Sequence, residues 1–277
     1  MKAPAIADIG RALRRYPAVT LLLAAVVGVA LLLLLRGGDD AQSESAPGAG
    51  GLDLFGALRG LARLSPDDLV PDPPPDVRGP HFPIARVQPG EEVELRDAPG
   101  GRVIATLGDE TEFDSPRTFW ISEIRGDWFG VHTPEVYNGA GWIRDDRTEL
   151  EVSETRFWIV ADTSAQTLEL RYRNKVLDRF PVTVGSPGSP TPLGDYSVTD
   201  GLAGPGVGPY YGCCVLALTG HQPNLPPNWI GGDRIAVHGT PGAVGGANSA
   251  GCLRASDPDM VSLFARVPLG TPVFIRA

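Results

Sequence analysis

The sequence predicts a mainly β chain, with two successive β-rich units carried behind a single membrane-spanning helix. Three observations predict it. Glycine (35) and proline (27) punctuate the 277 residues too often for a helical protein and favour short strands joined by many turns. Beyond residue 90 the apolar residues fall in short alternating runs, the period of half-buried strands. Pro17 to Leu35 is an uncharged apolar run whose helix would rise about 28 Å, enough for a hydrocarbon core of ~30 Å.

The flanks of that run orient it. Lys2, Arg11, Arg14 and Arg15 precede it, and Asp39 and Asp40 follow, so residues 1–16 form a cytoplasmic basic tail and everything after the span faces outward. Arg36-Gly-Gly-Asp-Asp40 is a poor small-residue cleavage site, which favours a retained anchor at 17–35 over a cleaved signal peptide. Residues 36–89 read as a linker. Gly37 to Gly51 is small, polar and acidic, Leu52 to Leu64 offers a marginal helix interrupted by Gly56 and Gly60, and Ser65 to Pro89 is a proline-rich spacer of semi-rigid extended chain. A net charge of −9 without a basic stripe excludes nucleic acid as a partner.

A first β-unit is expected over 90–152. Its strands are Val93 with Leu95, Val103 to Leu107, Phe119 to Ile124, Trp128 to His132, and Gly141-Trp142-Ile143. A second unit follows over 153–277. Its strands are Phe157 to Ala161, Thr167 to Tyr172, Val176 to Val184, Asp195 to Thr199, Cys214 to Leu218, Arg234 to His238 and a closing Pro272 to Ile275. Arg173-Asn174-Lys175 reads as a hairpin turn. Ser256-Asp-Pro-Asp259, ahead of Met260, Val261, Phe264 and Val267, supplies a cap, an early proline and an acidic first turn for one amphipathic helix. Gly201 to Trp229, rich in Gly, Pro and Tyr, reads as a lid or rim.

Of the three cysteines, Cys213 and Cys214 read as small core residues at a strand head, because adjacent strand residues point to opposite faces and bridge only with strain. Cys252 is different. It lies in Ser249-Ala-Gly251-Cys252-Leu-Arg254, between a glycine-rich loop and a helix cap. A cysteine nucleophile acts as thiolate, and at neutral pH a nearby histidine lowers its pKa from about 8.5. His238, closing an apolar strand before the same loop, is the candidate base, and His221 reads as structural rather than as a second base. No C-x-x-C pair or H-E-x-x-H helix is present, so neither a metal nor another cofactor is expected.

His238-Gly239-Thr240, Ser249-Ala-Gly251-Cys252-Leu-Arg254 and, upstream, Thr191-Pro192-Leu193-Gly194 together resemble the YkuD-type L,D-transpeptidase domain. The resemblance implies a β-sandwich that forms 3-3 cross-links in peptidoglycan through a Cys252 thioester. His238 would move the protons, with the Gly239 carbonyl orienting its ring. The amides of Ala250, Gly251 and Cys252 would line an oxyanion hole, with Ser249 shaping the turn and Arg254 bracing it or receiving a substrate carboxylate. Tyr210, Tyr211 and Trp229 are candidates for the substrate rim, and Thr191 to Gly194 for a structural turn. The chain departs from the pattern at Ala250, where many members carry histidine. Gly126-Asp127-Trp128 and Gly141-Trp142-Ile143 resemble a bacterial SH3-like module, a small β-barrel implying contact with wall peptide or glycan. The same residues are compatible with an L,D-carboxypeptidase or wall-peptide hydrolase, or with a non-catalytic wall-binding protein.

Overall fold

Alternating inward and outward side chains build seven strands between Phe82 and Thr155: β1 (Phe82–Val87), β2 (Glu92–Arg96), β3 (Val103–Gly108), β4 (Thr118–Arg125), β5 (Trp128–His132), β6 (Ala140–Arg144) and β7 (Leu150–Thr155). They form one sheet in the order β3-β2-β6-β5-β4-β1-β7. The computed structural model describes residues 79–277, so the expected tail, the anchor at 17–35 and most of the linker lie outside the described residues. Among the described residues no helix is long and apolar enough to cross a membrane. The inward positions of these strands, including Val93, Leu95, Phe119, Ile121, Phe129, Val131 and Ile143, close into one buried cluster, the main source of the unit's stability.

Two boundaries differ from the sequence reading. The spacer expected to reach residue 89 stops earlier, because β1 pairs with both β4 and β7. Pro83 is tolerated there because pairing with β4 starts only at Ile84, leaving the residue without an N–H at the strand's beginning. At the other end β7 continues to Thr155, past the expected division at 152/153, because Thr155 pairs with Phe82.

The second sheet has eight strands in the order β10-β9-β8-β17-β12-β13-β14-β16. These are β8 (Phe157–Asp162), β9 (Thr167–Tyr172), β10 (Lys175–Pro181), β12 (Gly194–Ala203), β13 (Cys214–His221), β14 (Arg234–Thr240), β16 (Leu253–Ser256) and β17 (Pro272–Arg276). A small parallel pair, β11 (Val184–Gly185) with β15 (Ala247–Ser249), lies apart from it. The β9–β10 hairpin turns at Arg173 (φ 51°), with Tyr172 opposite Lys175. β13 is the strand expected at Cys214 to Leu218, lengthened to His221, and β12 runs on to Ala203, so that of the segment expected to form the lid or rim residues 204–213 and 222–233 remain as loops. A single helical turn, α1 (Gly204–Val207), starts the first of these loops.

Helix α2 (Asp257–Phe264) follows β16 directly. The Ser256 side chain accepts from the Asp259 amide at its N-terminus, with Pro258 in the first turn, and Met260 and Leu263 are buried beneath it. The cap satisfies an otherwise orphan amide and fixes where the chain turns after Cys252.

The two β-units meet along an aromatic seam. Phe82 lies 6.1 Å from Phe274 and 6.2 Å from Trp158, and Trp120 packs edge-on to Phe274 at 5.6 Å while stacking on His132 at 5.0 Å. Such pairs combine large apolar burial with an orientation preference, so the seam fixes an angle as well as a contact. Polar bonds extend it on the side facing the loops: Thr111 donates to Asp200, and Arg234 pairs with Glu112.

Candidate active site

Parallel pairing brings the two halves of the site together. β14 and β16 run side by side with Val237 opposite Leu253 and His238 opposite Arg254. Cys252 therefore comes beside Ala236, and because strand side chains alternate, Ala236 and His238 point to the same face. β14 does not stop at His238 as expected. It runs on to Thr240 because Gly239 and Thr240 pair with Ala255 and Ser256. Cys252 and His238 line one cavity of about 550 Å³, within the range of small-ligand sites.

His238 is 4% exposed, and its Nδ1 lies 2.7 Å from the Gly239 carbonyl. Nδ1 must be the protonated nitrogen, which leaves Nε2 free to accept. Burial pushes the His238 pKa down to about 4; the Gly239 carbonyl opposes this, and the Arg254 charge adds to it. The imidazole is neutral at pH 7 and competent as a base. Cys252 is a free cysteine that keeps partial access overall, yet burial pushes its thiol up, against the smaller downward pull of the Ala236 amide and Arg254. Burial disfavours each charged form taken singly, which favours a neutral thiol beside a neutral imidazole over the histidine-stabilised thiolate expected from the sequence.

The buried histidine also sets a stability slope. Unfolded, His238 titrates near 6.5, whereas folded it does so at about 4, so between these values only the unfolded state takes up the proton. Stability is then lost as pH falls from 6.5 to 4, by about 3 kcal/mol from this group. Urea unfolding at pH 7, 5 and 4 should show a loss that is smaller by about that amount in His238→Gln.

Residues 249–252 form a tight turn. Ser249 is buried; its Oγ accepts from the Gly251 amide at 3.1 Å and donates to the Cys252 carbonyl at 2.6 Å. This removes Gly251 from the expected set of oxyanion donors. At φ 120°, a region that favours glycine, the Gly251 amide folds inward to Ser249, and the amides of Ala250 and Cys252 are the two left. Gln222 presses on the same turn: a Cβ at position 251 would lie 2.0 Å from its Nε2.

Tyr210, Tyr211 and Trp229 from the two loops and Ser249, Ala250 and Arg254 from the nucleophile turn and its strands all line the cavity, whereas Gly239 and Gly251 are not among its lining residues. The Tyr211 ring sits 4.8 Å from that of His238, and Tyr210 is 82% exposed. Arg254 is held by backbone pairing with Thr183, and its guanidinium reaches Asn248 only at 3.5 Å. Thr191 is buried and accepts the Gly185 amide at 2.8 Å.

Cys213 and Cys214 form a disulfide rather than serving as separate core residues. Cys213 precedes β13, after Gly212 at φ 57°, so strand alternation does not constrain the pair. The Cys213 amide donates to Asp257 at 3.0 Å, tying the tyrosine loop to the start of α2. His221 does not line the cavity; its ring faces the first β-unit, with Nε2 2.8 Å from the Pro134 carbonyl. Gln222 and Asp257 are the site residues that the sequence reading misses. Both act through backbone groups that only the tertiary fold brings near, and no spacing rule marks them.

Residues 156–275 match the model of YkuD, the L,D-transpeptidase catalytic domain. The YkuD protein of Bacillus subtilis (strain 168), named as a candidate L,D-transpeptidase, is 31% identical over 122 residues, or 43% of this chain and 66% of that protein. YqjB of the same organism, similarly named, is 32% identical over 129 residues, covering 43% of this chain and 70% of YqjB. The chain spans just under two thirds of the two YkuD relatives, from B. subtilis (66%) and Bacillus licheniformis (64%). Among solved structures, an L,D-transpeptidase from Mycobacterium smegmatis aligns with 50% of this chain and 73% of its own, at 21% identity and a TM-score of 0.35. Through its second β-unit, with His238 on β14 and Cys252 immediately before the paired strand β16, the chain belongs to the YkuD family of L,D-transpeptidase catalytic domains.

Proposed function

We propose that the protein is a peptidoglycan L,D-transpeptidase in which Cys252 is the nucleophile and His238 the general base. The observation that carries this reading is the pairing of β14 with β16, which brings a free thiol and a neutral imidazole to one substrate-sized cavity. Cys252 Sγ attacks the amide carbonyl after the third residue of a tetrapeptide stem while its proton passes to His238 Nε2. The amides of Ala250 and Cys252 receive the oxyanion. The C–N bond then breaks, the terminal D-alanine leaves with the proton from His238, and the acyl group remains on sulfur as a thioester. An amine from a second stem attacks the thioester and gives its proton to His238. The thiol leaves, and a 3-3 cross-link results. Arg254, which lines the cavity and reaches Asn248 at 3.5 Å, braces the turn or receives a stem carboxylate, and Tyr210, Tyr211 and Trp229 offer faces to the peptide.

The neutral resting pair suits this sequence, because the thiol ionises only as the carbonyl is attacked and no solvated charge has to be stripped beforehand. The first β-unit, with Trp128 and Trp142 on the paired strands β5 and β6, is proposed as an SH3-like module that holds wall peptide or glycan. The run at 17–35 is proposed as the anchor that keeps the catalytic unit on the wall side of the membrane.

Incubating the purified chain with disaccharide-tetrapeptide muropeptides, followed by mass spectrometry, tests the reaction. Dimers linked 3-3 with release of D-alanine are expected. D-alanine release without dimers would reassign the acceptor to water, making the protein an L,D-carboxypeptidase. No change in the muropeptides would leave a wall-binding protein.

A further inference from the structure

The buried amide of Gln222 is not used by the chemistry above, yet it is the most heavily bonded side chain behind the nucleophile. It is 4% exposed. Its Nε2 donates to the carbonyls of Pro190 (2.9 Å), Ala250 (3.2 Å) and Ser189 (3.3 Å), while its Oε1 accepts from the Asn224 amide (2.9 Å). One side chain thus joins the Ser189–Pro190 loop, the second rim loop and the nucleophile turn. It also occupies the space that any side chain at position 251 would need. The Ala250 carbonyl belongs to the peptide unit whose nitrogen is the Gly251 amide, and that amide is held by Ser249. The peptide plane between Ala250 and Gly251 is therefore gripped at both ends, which fixes the plane that stands between the Ala250 and Cys252 amides and leaves each only the rotations next to it.

The neighbouring residue is gripped from the other β-unit. The His221 amide donates to Asn138 Oδ1 at 2.7 Å, and Asn138 Nδ2 donates back to the His221 carbonyl at 3.0 Å. The His221 ring stacks on Tyr137 with centroids 5.0 Å apart and meets the Pro134 carbonyl through Nε2. Asp233 Oδ1 lies 3.0 Å from Nδ1 without the alignment of a hydrogen bond. The loop between β5 and β6 thus clamps the end of β13 one residue before Gln222.

We propose that Gln222 is a positioning residue that aims the Ala250 and Cys252 amides at the developing oxyanion, and that Asn138 of the first β-unit holds Gln222 in register. The first β-unit then tunes the rate of acyl transfer without touching substrate. This rests on the acyl-transfer reading of the site.

Two reactions of the same sulfur separate positioning from general damage. Acylation of Cys252 by a carbapenem needs the oxyanion donors, whereas alkylation by iodoacetamide is a displacement at carbon that needs only the thiol. Gln222→Met keeps the length and loses the donors. It is expected to slow acylation about 100-fold, the scale of one lost oxyanion donor, with alkylation within threefold of wild type. On muropeptides kcat should fall and KM stay within threefold. Asn138→Ala, at the unit boundary, should slow acylation about tenfold with alkylation again unchanged, and it serves if Gln222→Met does not fold. Unchanged acylation in the folded variants, or equal losses in both reactions, would overturn the positioning role. Failure of the wild-type chain to acylate at all while alkylating normally would instead remove the acyl-transfer reading, and this inference with it.

Discussion

Cys252→Ala is expected to bring acyl transfer to the uncatalysed background, a loss of at least about 10⁴-fold, with stability unchanged to within about 1 kcal/mol. The kinetic part follows because no second thiol can take over: Cys213 and Cys214 are bonded to each other, and Cys252 is the free cysteine of the described residues. The thermodynamic part follows from what the sulfur touches. The sulfur meets the Ala236 amide, and the turn around it is held by Ser249 and Gln222. Equilibrium unfolding and the muropeptide assay, run on the same preparation, check both halves. A variant that lost activity only because it unfolded would show a large shift in the first measurement.

His238→Gln is expected to cost about 10³-fold in the acylation rate, within the range for a removed general base. Its pH profile carries more information than its magnitude. In the wild type the base is competent above its pKa of about 4, so the rate should persist through pH 5 and fall only as the pH drops through 4. A thiolate–imidazolium pair would instead show an acid limb set by the ionisation of the thiol. In the glutamine variant nothing accepts the proton, and the residual rate should climb with pH, following the ionisation of a thiol raised above its usual 8.5 by burial. Acylation rates between pH 4 and 10 for both proteins distinguish these patterns.

Much of the β architecture is legible in the residues. The alternation in Thr167 to Tyr172 or Trp128 to His132 marks strands because one face is buried, and Ser256 with Pro258 marks the start of α2 because capping is local. What is hidden depends on partners far away in the chain. Pro80 and Pro83 disguise β1 as spacer, and only its neighbours β4 and β7 make it a strand. Glycines 201 and 220 suggest loop on either side of the Cys214 to Leu218 strand, yet both fall within strands, where Gly220 admits the Tyr196 ring. The site divides in the same way. Ser249, Gly251, Cys252 and Arg254 are read together because they are adjacent, and His238 joins them through the motif around it. The protonation preference is not legible, since burial pushes the thiol up and the imidazole down and burial is a property of the fold. Gln222 is invisible for a related reason: its partners are the carbonyls of Ser189, Pro190 and Ala250, and a carbonyl is present at every residue.

The central claim is that acyl transfer passes through a thioester on Cys252. Quenching the purified chain in acid during turnover of a tetrapeptide muropeptide, then mapping its peptides by mass spectrometry, tests this most directly. The predicted result is an adduct of the stem lacking its terminal D-alanine, on the peptide containing Cys252 and sensitive to hydroxylamine. Formation of 3-3 dimers with no adduct at Cys252, or their persistence in Cys252→Ala, would contradict it.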